Sequence, residues 1–148
     1  MISTELARAL RDSGLVWRPS VGDAFRIDML EVEGDVFILS DMIVEAHEFP
    51  TGTILGFNGT TEWALDSVAL QDALWIPREG QLRSLLRSAF RSLSISPRGY
   101  EVVAAIAGVE QTFVALDASD AYGRALLALI DESLGDPLPD FEDELPSV

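Results

Sequence analysis

The sequence predicts a single α+β domain over residues 1–135, in which three to four helices pack on an antiparallel sheet. Two blocks of the chain alternate with the period of β-strands, one between Asp23 and Val68 and one around Gly108. Helical patterns flank these blocks and separate them. Strands that are grouped in this way indicate an α+β rather than an alternating α/β fold. The expected sheet is therefore a meander completed by a C-terminal hairpin.

The length and composition are those of a domain that folds without metal or disulfide crosslinks. A chain of 148 residues buries enough surface to fold unaided, and its 48% apolar and 24% charged residues lie near the globular average. The absence of cysteine excludes disulfides, thiolate metal sites and cysteine nucleophiles. Neither a secretory signal nor an apolar run of membrane-spanning length occurs. We therefore expect a cytoplasmic protein.

The charge is strongly negative and unevenly distributed. A net charge of −15 disfavours nucleic acid and anionic lipid, so neither nucleic acid nor a membrane is expected as a partner. All ten basic residues are arginine, which excludes a Schiff-base lysine and a Walker-type phosphate lysine. Seven of the 25 acidic residues lie from Asp131 onward, with no basic residue among them. Residues 136–148 are therefore expected to form an acidic, proline-containing, flexible tail.

The N-terminal half is expected to hold one helix followed by the meander. The helix covers Thr4–Ser13, with Ser3 as its cap and Gly14 as its left-handed end. The Asn58-Gly59 pair favours a type I′ turn, whose twist matches that of a hairpin. The expected strands are Phe25–Asp28, Val36–Leu39, Ile43–Phe49, Thr53–Phe57 and Thr60–Leu65.

The C-terminal half is expected to hold three helices and a second hairpin. A short helix covers Val68–Leu74, and a longer one begins at Pro77, where a missing N–H costs nothing. The buried face of this longer helix is Leu82, Leu85, Leu86 and Ala89.

The second hairpin joins Tyr100–Ala107 to Glu110–Leu116 around Gly108. The last helix runs from Ala118 to Leu134, with Asp117 as its cap and Gly135 as its end. Its Gly123 permits a close approach by a neighbouring element. The expected buried stripe is Ala121, Tyr122, Ala125, Leu126 and Leu129.

Half of the arginines lie within 21 residues of this acidic chain. Arg83, Arg87 and Arg91 recur at every fourth position, opposite the leucine stripe of the longer helix, and Arg78 and Arg98 flank them. Guanidinium groups bind carboxylates and phosphates bidentately, so this set is a candidate docking face for an acidic peptide or another anion. The alternative is a solvated helix face that balances nearby carboxylates, including those of the tail, which is what charge runs on helices more often form.

Other candidate sites are less complete. A pocket between the sheet and the helices, near Trp63, Trp75 and Tyr122, is one place for a small molecule, although large aromatics more often fill a core. Glu45 and His47 share one side of a predicted strand but supply only two of the three or four ligands that a metal site needs. No metal site and no cofactor is therefore expected. The chain contains no nucleophile elbow, P-loop or dinucleotide-binding motif, so no catalytic residue is assigned.

The sequence resembles an uncharacterised family of short bacterial proteins, mainly actinobacterial. The resemblance lies in the stretches Ile2–Ala7, Gly14–Pro19, Val36–Asp41, Thr61–Val68, Leu74–Leu82, Phe113–Asp117 and Asp120–Leu126. Some members carry the label pilus assembly protein CpaE, which implies a receiver domain joined to a MinD-like ATPase. This chain has no Walker lysine and is too short for both modules. The resemblance therefore implies no established activity.

Three functions remain open from the sequence. The first is a non-catalytic interaction or regulatory module that contacts a protein partner through the arginine-bearing helix or an exposed sheet edge. A homodimer is one form that this module could take. The second is a small-molecule-binding domain. The third is a metal-assisted enzyme that uses His47, Glu45 and nearby acids. The missing catalytic motifs and the concentrated arginines favour the first.

Overall fold

The structure is a computed structural model that describes residues 1–29, 32–33, 35–40, 43–49, 52–57, 67–69 and 72–135, with only the backbone described in strands β2, β4, β5 and β6. These residues form three α-helices and ten strands, which confirms the predicted α+β class. Their order is α1 (Thr4–Asp12), β1 (Ala24–Met29), β2 (Val32–Glu33), β3 (Phe37–Ile38), β4 (Ile43–Phe49), β5 (Gly52–Phe57), β6 (Ser67–Ala69), β7 (Ala73–Ile76), α2 (Glu79–Leu86), β8 (Phe90–Ser96), β9 (Gly99–Ile106), β10 (Val109–Ala115) and α3 (Ala118–Gly135).

Helix α1 forms where its cap and its stop signal predicted it. The Ser3 hydroxyl accepts a hydrogen bond from the Leu6 amide at 3.3 Å, and Leu10 on the inner face is fully buried. Gly14 has a φ of 114°, a conformation that glycine adopts without steric cost. The chain then folds back, because the Leu15 amide donates to the Leu10 carbonyl at 2.9 Å.

Strand β1 is the centre of the first sheet. It pairs antiparallel with β2, β3 and β7, and its pairing with β7 runs from Ala24 opposite Ile76 to Ile27 opposite Ala73. The predicted helix at Val68–Leu74 is therefore wrong, since this stretch contains β6 and the start of β7. The predicted buried strand Val36–Leu39 is shortened to β3, in which Ile38 is exposed.

The second sheet is the three-stranded meander β4-β5-β6. Strand β4 has the bounds that its alternating pattern predicted. The predicted partner of β5, Thr60–Leu65, and the Asn58-Gly59 turn lie outside the described residues. Within the described part of the chain, β5 pairs instead with β6, where Gly56 lies opposite Ser67.

The third sheet has the order β10-β9-β8. The predicted hairpin around Gly108 is confirmed, with Val109 opposite Ile106 at its turn. Strand β8 was not predicted. It occupies the segment that was assigned to the end of the arginine-bearing helix and the linker after it, and it pairs antiparallel with β9.

Helix α3 packs against β9, β10, α1 and α2 and supplies much of the main core. Its predicted stripe is confirmed, since Ala121, Tyr122, Ala125 and Leu126 are buried and Leu129 packs against the same core. Gly123 lies where α1 approaches most closely. A β-carbon there would lie 2.6 Å from the Leu6 Cδ2 atom, so only glycine fits without a shift of that side chain.

A candidate anion-binding surface on helix α2

Helix α2 begins two residues after Pro77. Arg78 occupies the capping position, and its amide donates to the Gln81 side-chain oxygen at 3.0 Å, which satisfies one N–H that the helix cannot bond itself. Leu82 and Leu86 are buried on the inner face of the helix. The opposite face, with Arg83 and Ser84, is exposed.

The start of α2 is anchored to the loop before β1 by Asp23. The Asp23 carboxylate is buried and accepts a hydrogen bond from the Gln81 side-chain amide at 2.7 Å. The Arg78 guanidinium donates to the Gly22 carbonyl and lies 3.9 Å from the Asp23 carboxylate. These contacts hold the capping arginine in place, so part of its conformational freedom is already lost before any ligand arrives.

An open depression of about 590 Å³ lies along the exposed side of α2. Its lining residues are Arg78, Gly80, Gln81, Ser84, Leu85 and Arg87. The two arginines lie at opposite ends of the helix, Leu85 supplies an apolar surface between them, and Ser84 and Gln81 add polar groups. The lining thus combines two guanidinium groups with an apolar strip.

Arg87 ends the helix with a φ of 52°, which is uncommon for a residue other than glycine. The chain turns there through the 3-10 segment Arg87–Ala89 and enters β8. The Arg87 side chain is exposed and makes no ion pair with any residue that the structure describes. Its five N–H donors are therefore available to an anion.

Arg83 extends this positive surface toward β8. Its guanidinium carbon lies 6.0 Å from the centre of the Phe90 ring, a cation–π distance. Phe90 in turn contacts the Tyr122 ring at 5.7 Å between centroids. Burial raises the pKa of the Tyr122 hydroxyl and the nearby Glu79 adds to that, while the positive charge of Arg83 opposes the rise.

Two of the five predicted arginines do not join this surface. The helix ends at Leu86, so the predicted helical repeat is broken and Arg91 lies on β8, where its side chain is 3.8 Å from the Glu110 carboxylate. Arg98 lies in the turn after β8 and pairs with Glu101 at 2.5 Å. The 3-10 segment Arg87–Ala89 and strand β8 separate Arg98 from the end of α2. The seven residues of β8 alone span about 20 Å.

The aromatic residues of the predicted small-molecule pocket are distributed differently. Tyr122 lies in the main core, whereas Trp75 on β7 packs against the smaller cluster of Trp17, Phe25, Leu39 and Ala73. Trp63 lies outside the described residues. Tyr122 and Trp75 therefore belong to two different clusters of the molecule.

The predicted metal ligands lie on strand β4, where Glu45 is opposite Gly56 and His47 is opposite Ile54. Their side chains are outside the described part of the structure. Among the side chains that are described, no three histidine, aspartate or glutamate residues lie close enough to share an ion. In the same part of the chain, no helix has the length and apolar character needed to cross a bilayer.

Sequence reasoning missed the polar and apolar lining that accompanies the arginines. Gly80, Gln81 and Ser84 carried no motif, and Leu85 was predicted on the buried face; it does pack against the main core, but it also lines the depression. The role of Asp23 was also missed. Its contacts join residues that are up to 58 positions apart, so no local pattern announces them.

The chain matches no family model, no curated protein and no solved structure. The resemblance to the short actinobacterial proteins stays a prediction. The candidate surface is thus defined by its own geometry.

Proposed function

We propose that this chain is a non-catalytic interaction module that binds an acidic segment of a partner protein along helix α2. The observation that carries the proposal is an open depression with Arg87, which makes no ion pair with a described residue, at one end and the anchored Arg78 at the other. Carboxylates are the groups that guanidinium donors bind most strongly among protein side chains.

The shape of the depression favours a peptide over a small anion. The two arginines lie at opposite ends of an eight-residue helix, a length of about 12 Å. A single carboxylate or phosphate reaches one of them, whereas a peptide with acidic residues on both sides of an apolar one reaches both. Leu85 lies between the arginines and gives that apolar residue a surface.

The charge of the chain supports selectivity for this surface. Residues 80–100 contain four arginines and no acidic residue, in a chain whose net charge is −15. An acidic peptide is repelled by most of the molecule and attracted here, so electrostatic steering directs it to α2.

Fluorescence anisotropy with a labelled peptide in which Asp and Glu alternate with Leu tests the proposal. We expect Arg87→Gln and Arg83→Gln each to weaken binding about tenfold, since a lost charge-assisted hydrogen bond costs about 1.4 kcal/mol or more. Amide chemical-shift changes should centre on residues 78–87.

Arg124→Gln is the matched control. It removes the same charge from an exposed residue of α3, whose guanidinium donates to the Val114 carbonyl on β10. Strand β10 is the edge of the sheet opposite β8, which carries Phe90. Equal weakening by the control variant, or chemical-shift changes elsewhere, would show that the peptide does not bind in the depression.

A further inference from the structure

The two edges of the C-terminal sheet differ in how they are protected. Neither β8 nor β10 has a second strand partner among the described residues. Strand β10 exposes Glu110, and a charge on an edge strand discourages another chain from pairing with it. The five residues Ser92–Ser96 of β8 contain no charge and no proline. From Ser92 to Ser96 the β8 edge therefore lacks these features, which occur only at its start, where Arg91 and a register shift between Phe90 and Ser92 lie.

Leu93 and Ile95 add an apolar surface to this edge. Leu93 lies opposite Val102 and Ile95 opposite Tyr100, so both project from the face of the sheet that carries the main core. Val102 is fully buried, yet Leu93 is 39% and Ile95 77% exposed. Helix α3 packs on β9 and β10, and no described residue covers these two aliphatic side chains at the adjacent edge.

The charges on either side of Ser92–Ser96, those of Arg91 and Arg98, are already balanced within the chain. Arg91 lies 3.8 Å from Glu110, and Arg98 lies 2.5 Å from Glu101. Two copies of a chain with net charge −15 repel each other over most of their surface. The β8 edge contributes no carboxylate to such an approach, because residues 80–100 contain none.

We propose that β8 pairs antiparallel with β8 of a second copy of this chain, which joins the two C-terminal sheets into one sheet of six strands. The segment Ser92-Leu93-Ser94-Ile95-Ser96 is self-complementary under a two-fold axis. With Ser94 on the axis, Leu93 lies beside Ile95 of the second copy, and serine lies beside serine on the other face. Arg91 then lies opposite Pro97, beyond the end of the paired strand.

This proposal is independent of peptide binding at α2. In the antiparallel pair, the Phe90 ends of the two strands lie about 26 Å apart, because eight residues separate them along the strand direction. The two depressions are therefore separate, and each retains its own arginines.

Sedimentation equilibrium over a concentration series tests the assembly. The wild-type mass should approach twice the 16.1 kDa of one chain, and Ile95→Lys should raise the dimer dissociation constant at least tenfold. Val16→Lys makes the same change at a residue that is 70% exposed outside this sheet, and it should leave the dimer unchanged. A monomer at every concentration, or a dimer indifferent to Ile95→Lys, overturns the proposal.

Cysteine crosslinking tests the register, since the natural chain has no cysteine. Paired residues of antiparallel strands lie about 4.5–5.5 Å apart between α-carbons, within reach of a disulfide. Ser94→Cys should therefore form a covalent dimer at least tenfold faster under mild oxidation than Thr112→Cys on the β10 edge. Equal rates, or a faster rate for Thr112→Cys, would contradict pairing through β8.

Discussion

Asp23 and Asp28 lie near opposite ends of strand β1 and hold their neighbours by different means. The Asp23 carboxylate is buried and accepts hydrogen bonds from neutral donors, namely the Trp17 indole at 3.0 Å, the Ser20 amide at 3.0 Å and the Gln81 amide at 2.7 Å. The Asp28 carboxylate is partly exposed and binds two guanidinium groups of α1, from Arg8 and Arg11.

The difference separates two kinds of stabilisation. At Asp23 a lost acceptor leaves the buried Trp17 indole and the partly buried Ser20 and Gln81 donors without a partner, so the penalty is mainly desolvation. At Asp28 the arginines remain in contact with solvent, so water and salt compensate for a lost partner. Asp23 also fixes Gln81 and orients Arg78, which links the stability of the N-terminal half to the shape of the α2 surface.

Asp23→Ala should have the largest effect. The substitution leaves the Trp17, Ser20 and Gln81 donors without their acceptor, and we expect a loss of about 3 kcal/mol in the free energy of unfolding. Urea denaturation followed by tryptophan fluorescence measures it. Asp12→Ala, at an exposed aspartate of α1, is the control and should change stability by less than about 0.5 kcal/mol. A loss at Asp23 no greater than at Asp12 would remove the contrast between the two carboxylates.

Asp28→Asn should cost less, about 1 kcal/mol, because Arg8 and Arg11 regain water when the carboxylate loses its charge. The same denaturation experiment measures this loss beside that of Asp23→Ala. A cost equal to or above that of the Asp23 variant would show that the ion pairs dominate the attachment of α1.

The contribution of Asp28 should also depend on pH. Hydrogen bonds from Arg8 lower the pKa of Asp28, burial partly opposes this, and the hydrogen bond from Arg11 lowers it further. Because the pKa is lower in the folded state, the stabilisation is present above the unfolded pKa and is lost as the pH falls through the folded value. The stability difference between wild type and Asp28→Asn should therefore shrink as the pH falls below about 5. A difference that stays constant would contradict the assigned ion pairs.

Salt should produce the smallest effect. In about 1 M sodium chloride the Debye length falls to about 3 Å, which weakens the partly exposed Asp28 contacts by a few tenths of a kcal/mol. The penalty of Asp23→Ala should change less, since its hydrogen-bond donors are neutral and the Arg78 guanidinium lies farther away, at 3.9 Å. Urea denaturation of both variants with and without salt tests this. Equal salt sensitivity of the two variants would argue against the distinction between Asp23 and Asp28.

Elements with strong local signals were predicted from the sequence. Helix α1 has its serine cap and glycine end, and α3 has Asp117, whose carboxylate accepts from the Ser119 amide at 2.8 Å. The β9–β10 hairpin turns where Gly108, with a φ of 78°, was expected to allow it. Each of these signals acts over a few residues, so sequence spacing suffices to detect it.

Elements that depend on distant partners were mispredicted. The segment Val68–Leu74 is rich in helix-forming residues, but β7 obtains its backbone hydrogen bonds from β1, almost 50 residues earlier. Strand β8 carries an alternating Ser-Leu-Ser-Ile-Ser pattern, yet the four-residue spacing of the arginines predicts a continuing helix. Arg83 is exposed on α2, as its spacing predicted, whereas Arg91 lies on β8 instead of the helix.

The sequence by itself determined the fold class, the capped helices, the C-terminal hairpin and the concentration of arginine in an acidic chain, because caps, turns and charge are local or compositional properties. Only the tertiary structure decided that Asp23 anchors α2, that the helix stops at Leu86 and that β8 has no second strand partner among the described residues. These features depend on which distant groups satisfy each hydrogen bond and cover each apolar side chain, and folding settles that choice over the whole molecule at once.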